Sequence, residues 1–249
     1  MIMVNEEVKF ILNELTHNNF NCYVVGGAVR DFLLNPNTSS NNDIDIATSA
    51  TPNQVISIFT SLGLNVVPVG IEHGTVKVFI ADTGYEVTTF RKDIECYGRE
   101  AKVVFADTIE EDLASRDFTI NAMAYCHIKN IIIDPFNGSE DINNRIIRTV
   151  GEPLDRFRED YLRMFRALRF KSTLSSSFSV SNNTIDAIKN ISITDDWQYY
   201  VSPERIKMEF DKCLSKANKP SDMFSELLET GLLKAVLPEL EKCYGFAQN

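Results

Sequence analysis

The strongest constraint on this chain is a change of pattern at Gly151-Glu152-Pro153. Before it, short apolar runs of strand length alternate with helical stretches. After it, helical periodicity dominates, interrupted by a Ser/Asn-rich loop over 172–183. A chain divided in this way reads as α+β, with a mixed α/β head over 1–150 and an all-helical segment over 151–249. The head pattern predicts strands at 21–26, 43–47, 66–69, 75–80, 85–90, 103–105 and 131–133. Helices are predicted at 28–34, 52–62 and around 118–125, a hairpin turn at Asp82-Thr83-Gly84, and a charged loop from Lys92 to Val103. Beyond the change the predicted helices are 154–170, 184–190, 203–215, 221–229 and 231–242.

Composition excludes several classes. A chain of 249 residues, 44% hydrophobic, has enough apolar surface for a core without staples, which rules out disorder and fibrous repeats. Its five cysteines have no C-x-x-C spacing and its three histidines complete no metal quartet, so a reduced, cytoplasmic protein without structural zinc is expected. The start, Met1-Ile2-Met3-Val4-Asn5-Glu6-Glu7, has no basic region and is not read as a secretory leader. The uncharged run from Ala47 to Ile71 has the length of a membrane span, but Pro52, Gly63, Asn65 and Pro68 break it, and no membrane contact is expected. A net charge of −10 argues against a generally adhesive surface for nucleic acid, so a polyanion must be held locally. Pro153 to Lys171, with six basic residues against three acids, is the candidate patch.

Five segments carry candidate chemistry. Gly26-Gly27-Ala28-Val29-Arg30-Asp31 sits where a strand turns into a helix. Such a turn lets backbone and free N–H groups approach a phosphate, and Arg30 can add a guanidinium fork; a tight turn with a surface arginine is the plain alternative. In Asp43-Ile44-Asp45, strand geometry puts both carboxylates on one face, a repulsion that divalent cations would relieve. With 35 acids in the chain, about five acid-x-acid pairs arise by chance, so the pair draws its weight from following the glycine turn. Glu86, on the strand from Tyr85, shares a face with Thr88 and is either a third carboxylate or a solvent-facing residue. Arg116, Asp117 and Asn121 lie near the start of a predicted helix. There they either reach a nucleotide or, for Asp117, cap the helix, while Phe118, Ile120 and Met123 read as core.

The fifth segment, Arg158 through Phe170, is the basic helix, with Leu154, Phe157, Tyr161, Phe165 and Leu168 as its buried stripe. Asp160 and Arg163, at i and i+3, are neighbours on one helical face. They form either an ordinary surface ion pair or a base-reading pair. A carboxylate beside a guanidinium matches the amine donor and ring-nitrogen acceptor of cytosine and adenine, and mismatches uracil and guanine.

Taken in order, these segments resemble the class II tRNA nucleotidyltransferases (CCA-adding enzymes) and their bacterial poly(A) polymerase relatives. The matching stretches are Gly26 to Asp31, Asp43-Ile44-Asp45, Thr89-Phe90-Arg91, Arg116 to Ala124 and Glu159-Asp160 through Arg169. Val201 to Ile206, Gly231-Leu232-Leu233 and Leu237 to Leu240 resemble the family's helical segments, so the likeness runs from about residue 20 to 240. It implies a polymerase-β-like nucleotidyltransferase head with a mixed sheet, followed by an all-helical neck and body. By the same resemblance Gly27 and Arg30 hold triphosphate, Asp43 and Asp45 hold Mg2+, and Glu86 is the third catalytic carboxylate. Arg116, Asp117 and Asn121 fall in the nucleotide-contacting segment. Asp160 and Arg163 match the side chains that pair with the incoming base, and Arg166 and Arg169 match further nucleotide contacts.

The implied partners are the tRNA 3′ end, CTP and ATP, and the implied activity is addition of CMP and AMP. Poly(A) synthesis, A-only or CC-only addition, and a non-catalytic nucleotide-binding role are the alternatives. Ser115 stands where the family doubles its arginine. Gly98-Arg99 matches the family's flexible loop, with Tyr97 in place of an aspartate. The family's tRNA-gripping helices follow Pro238-Glu239-Leu240, so the chain is read either as a minimal form or as lacking part of that machinery.

Overall fold

The computed structural model describes residues 4–36, 44–97, 100–174, 177–194 and 196–245, and the chain divides into two compact units. The first comprises residues 1–94 and 102–143, the second residues 95–101 and 144–249.

In chain order the first unit begins with α1 (Glu6–His17), β1 (Cys22–Val25), α2 (Gly27–Leu34), β2 (Asp45–Thr48) and α3 (Pro52–Ser61). It continues through β3 (Asn65–Gly70), β4 (Thr75–Ile80) and β5 (Thr83–Thr89). The paired strands β6 (Arg91–Tyr97) and β7 (Glu100–Phe105) come next in the chain, their residues 95–101 counted with the second unit; the first unit then resumes with α4 (Ile109–Ala114), β8 (Ala124–Cys126), β9 (Ile131–Ile133) and α5 (Gly138–Asn143). Seven strands form one sheet in the order β3-β4-β5-β2-β1-β8-β9. Only the β2–β5 pairing is parallel, which makes the sheet mixed. Helix α1 buries Val8, Ile11, Leu12 and Leu15, and α3 buries Val55 and Phe59, both stripes at helical spacing. Asn5 caps α1 by accepting from the Val8 N–H at 2.8 Å, and Thr51 with Gln54 forms a capping box at α3.

The second unit holds a short parallel pair, β10 (Ile146–Ile147) with β11 (Ser179–Val180), and seven helices among its described residues. These are α6 (Pro153–Glu159), α7 (Leu162–Leu174), α8 (Asn182–Thr194), α9 (Pro203–Lys216), α10 (Ser221–Glu229), α11 (Leu232–Val236) and α12 (Pro238–Cys243). Phe157, Phe165, Leu168, Ile188, Trp197 and Leu227 form its core.

The structure differs from the sequence-based expectations in several places. Residues 6–17, not anticipated as an element, form α1. The hairpin turn falls at Ala81-Asp82, because Ile80 pairs directly with Thr83 and Ala81 takes φ +50. Residues 91–97 and 100–105, in a stretch expected as mostly loop, form two paired strands that among the described residues make a sheet of their own. No α-helix covers the expected 118–125: α4 ends at Ala114, a single 3-10 turn follows at Thr119–Asn121, and β8 begins at Ala124. The expected helix 154–170 breaks at Asp160, and that of 231–242 breaks at Leu237, where Pro238 lacks the N–H an unbroken helix needs. Among the described residues no helix is long and apolar enough to cross a membrane, and residues 47–71 fold as parts of β2, α3 and β3.

Candidate active site

The glycine turn is built by conformation and by proximity. Gly26 takes φ 70 and ψ −130, a backbone that L side chains avoid, and its N–H donates to the Met123 carbonyl at 3.2 Å. A Cβ at Gly26 would stand 2.9 Å from Nη1 of Arg116, and one at Gly27 would stand 3.4 Å from Nη2 of Arg30. Two guanidinium groups therefore flank the start of α2, where the first turn already presents backbone N–H groups. Of the two glycines, the backbone demands Gly26, while Gly27 is the first residue of the helix.

Arg30 is fixed from two sides. Its Nε donates to Asp31 Oδ1 at 2.8 Å and its Nη1 to Asn121 Oδ1 at 2.7 Å. Asn121 Nδ2 donates in turn to Asp117 Oδ1 at 3.2 Å, and the same oxygen accepts the Phe118 N–H at 2.8 Å. Three predicted nucleotide contacts, Arg30, Asn121 and Asp117, thus belong to one hydrogen-bonded chain. The 3-10 turn at Thr119–Asn121 has Phe118 at its N-cap position, with no side-chain capping bond. Arg116 donates through Nε and Nη2 to Oδ2 of buried Asp112, at 3.2 and 3.1 Å. Phe118, Ile120 and Met123 are fully buried, as their pattern predicts.

Asp45 opens β2 with an exposed side chain and lies opposite Val25, the residue before the glycine turn. In the parallel pairing Ile46 stands beside Val87, which puts Asp45 and Glu86 in line one position earlier, on the opposite face from those two buried side chains. Glu86 accepts from Lys77 at 3.1 Å across β4 and β5. Asp43 lies outside the described residues, as do Gly98 and Arg99. Among the described residues no group of three or more metal-capable side chains occurs. The donors at hand are carboxylate oxygens, the set that suits a hard divalent cation.

Helix α4 borders this region. Its Glu111 accepts from Lys92 Nζ at 2.7 Å, a hydrogen bond that lowers the Glu111 carboxyl below its ordinary value and raises the Lys92 ammonium above its own. Burial pushes the Cys22 thiol up to about 11, so it stays a neutral core residue. Cys22, Cys126, Cys213 and Cys243 are free thiols.

In the helical unit Arg156, Arg163, Arg169, Lys171 and Arg205 have acidic partners, and Asp160 and Arg163 each engage a further charged side chain. Asp160 takes an extended conformation, φ −151 and ψ 103, between α6 and α7, and its Oδ1 accepts the Leu162 N–H at 3.1 Å. Its oxygens receive Nη1 and Nη2 of Arg205 at 3.1 and 2.8 Å, a two-pronged pair to α9. Arg163 donates to Glu159 at 2.6 Å, and Arg156 pairs with the same carboxylate group at 2.9 Å. Arg169, expected to face a nucleotide, is 8% exposed; its Nε meets Glu209 at 2.5 Å and its guanidinium lies over the Phe170 ring. Burial of both partners makes that pair a tie between α7 and α9. Arg166 is half-buried above the same ring at 5.7 Å, and Lys171 pairs with Glu226. The patch read as net positive is therefore largely neutralised by acids, two of them, Glu209 and Glu226, from distant helices. Leu154 is only half-buried, while Phe157, Tyr161, Phe165 and Leu168 are buried as expected.

A mixed sheet with a glycine turn leading into a helix, an acid at the neighbouring strand end and a separate helical unit define a polymerase-β-like nucleotidyltransferase head followed by helices. The chain belongs to the family of the poly A polymerase head domain, whose model matches residues 22–148. A second model, described as a probable RNA and SrmB-binding site of polymerase A, matches residues 177–244. The chain is 46% identical over 232 residues to the CCA-adding enzyme of Anoxybacillus flavithermus, covering 92% of this chain and 55% of that one. To the CCA-adding enzyme of Staphylococcus aureus strain MRSA252 it is 44% identical over 215 residues, 86% of this chain and 50% of the relative. The crystal structure of the Bacillus stearothermophilus CCA-adding enzyme in complex with CTP superposes with a TM-score of 0.81 at 42% identity, over 95% of this chain and 55% of that one. The chain thus spans about half the length of the curated relatives it matches.

Proposed function

We propose that this chain adds CMP and AMP, taken from CTP and ATP, to the 3′ end of tRNA, as a CCA-adding nucleotidyltransferase. The observation that carries the reading is the pair of guanidinium groups beside the Gly26-Gly27 turn, with Asp45 at the same end of the sheet. Identity of 44% to a CCA-adding enzyme across most of the chain supports it. In this reading the N–H groups that open α2, together with Arg30 and Arg116, take triphosphate oxygens. The 3′-hydroxyl oxygen of the RNA attacks the α-phosphorus in line. The new P–O bond forms as the bond to the β-phosphate oxygen breaks, pyrophosphate leaves with that electron pair, and the hydroxyl proton passes to Glu86. Most of the acceleration comes from positioning and from charge stabilisation.

Asp43 and Asp45, both hard oxygen donors, would hold Mg2+, which supplies neutralisation of the phosphate charge when bound, and Glu86 is the third carboxylate. Asp117 and Asn121 sense the ribose, and Asp160 with Arg163 selects the base, Arg166 adding a further nucleotide contact. A cytoplasmic location goes with a tRNA substrate. The test is incubation with tRNA ending before CCA, with CTP, ATP, GTP and UTP given singly and together. CMP addition from CTP alone, and a complete CCA end only with CTP and ATP, is expected. Long AMP runs would assign the chain to poly(A) synthesis, and no incorporation from any nucleotide would contradict a catalytic role for it.

A further inference from the structure

We propose that Asp112 is a positioning residue that presents Arg116 to the nucleotide, an inference that rests on reading the head as a nucleotidyltransferase. Asp112 lies on α4 with a side chain only 5% exposed, where an ionised carboxylate needs partners for every exposed lone pair it has lost to burial. It has them on both oxygens. Oδ1 accepts the backbone N–H of Arg91 at 3.1 Å, at the first residue of β6. Oδ2 accepts Nε and Nη2 of Arg116 at 3.2 and 3.1 Å. One oxygen is thus anchored to the backbone while the other grips a guanidinium one helical turn further along the chain.

The grip decides which part of Arg116 is left to act. With Nε and Nη2 engaged, Nη1 is the nitrogen that reaches Gly26, close enough that a Cβ there would be only 2.9 Å away. The arginine side chain remains about a quarter exposed. A long arginine otherwise samples many rotamers, and ordering it on binding weakens affinity. Asp112 removes that disorder beforehand and aims the remaining donors at the turn where phosphate is expected.

The experiment pairs a spectroscopic signature with equilibrium binding of CTP in the presence of Mg2+, on the full chain. Arg116 Nε–H, identified by its absence in Arg116→Lys, should exchange with water far more slowly than exposed arginines. Fast exchange in the wild-type protein would overturn the proposal without need of any variant at Asp112. Asp112→Asn keeps an acceptor for the Arg91 N–H but turns an amide toward the guanidinium. It should weaken CTP binding about ten- to a hundredfold, the range for a lost charge-assisted hydrogen bond. Arg116→Ala should do the same, and the double variant should bind no worse than Arg116→Ala alone, because the two act as one unit. Additive losses would show Asp112 acting on the fold at large and would overturn the proposal. A wild-type chain with a protected Nε–H but no affinity for CTP would overturn the nucleotidyltransferase reading, and the proposal with it.

Discussion

Arg30 and Arg116 in the sheet unit and Arg169 and Arg205 in the helical unit all have carboxylate partners, yet the partners come from different distances. In the sheet unit they are local: Asp31 is adjacent to Arg30, and Asp112 is four residues before Arg116. Local pairing leaves a guanidinium edge beside the glycine turn. In the helical unit the pairs bridge helices, Arg169 to Glu209 across 40 residues and Arg205 to Asp160 across 45. The same kind of side chain thus stands beside the glycine turn in one unit and ties helices together in the other. Counting basic residues along Pro153 to Lys171 cannot separate these roles, because two of the partner acids, Glu209 and Glu226, lie elsewhere in the chain.

Six substitutions, in four tests, break or sharpen this contrast. The largest effect belongs to Asp45→Ala, which should lower nucleotide incorporation at least about a thousandfold, several kcal/mol of lost charge stabilisation. Thermal unfolding should be little changed, since the side chain is exposed. Activity close to that of the wild type in this variant would remove the sheet unit from the chemistry. Next is Glu209→Ala. Glu209 is 2% exposed and serves Arg169 and Lys212, so its loss should destabilise the helical unit by about 3–5 kcal/mol in denaturant titration. The exposed pair Lys207–Asp211 provides the control, at no more than about 1 kcal/mol.

Asp160→Ala comes third. It should shrink the preference for C and A over U and G about ten- to a hundredfold, or 1.5–3 kcal/mol. Arg205→Ala separates selection from scaffolding. If Asp160 serves only to pin α9, both variants will lower the melting temperature alike and leave base preference untouched.

The smallest effect is the pH dependence of the Lys92–Glu111 pair. The Glu111 carboxyl is lowered in the folded chain, so its contribution is present above the unfolded value and fades as pH falls through the folded one. The Lys92 ammonium is raised, so its contribution is full below the unfolded value and is lost as pH rises through the folded one. Glu111→Gln should therefore flatten the acid limb of a melting-temperature profile and Lys92→Met the alkaline limb, both slightly, because the pair is exposed to solvent.

Much of the sheet unit is legible in the sequence because its signals are local. The glycine turn, Thr51-Pro52 opening α3, and the alternation in Thr75 to Ile80 each declare themselves within a few residues. Helix α1 carries an equally local signal in Val8, Ile11, Leu12 and Leu15, at i, i+3, i+4 and i+7. The break at Asp160 is harder, since neither Gly nor Pro marks it and the apolar period runs straight through. An aspartate whose side chain accepts the Leu162 N–H is the one clue. Asp112 hides in an acidic run, Glu110-Glu111-Asp112, that reads as solvated helix surface; only its four-residue spacing to Arg116 hints at the pair. Glu209 gives no hint at all, because its partner is 40 residues away and only the packing of α7 on α9 brings them together.

The central claim, that the glycine turn and its two arginines form the triphosphate site, is tested most directly by titrating the full chain with CTP and Mg2+ while following backbone amide resonances. The account predicts the largest shifts at Gly26 through Arg30, with a second set at Arg116 through Asn121, and their loss in Gly26→Ala, where strain at φ 70 and the 2.9 Å approach of Arg116 must displace one or the other. Saturable CTP binding that leaves both sets of resonances unmoved would contradict it.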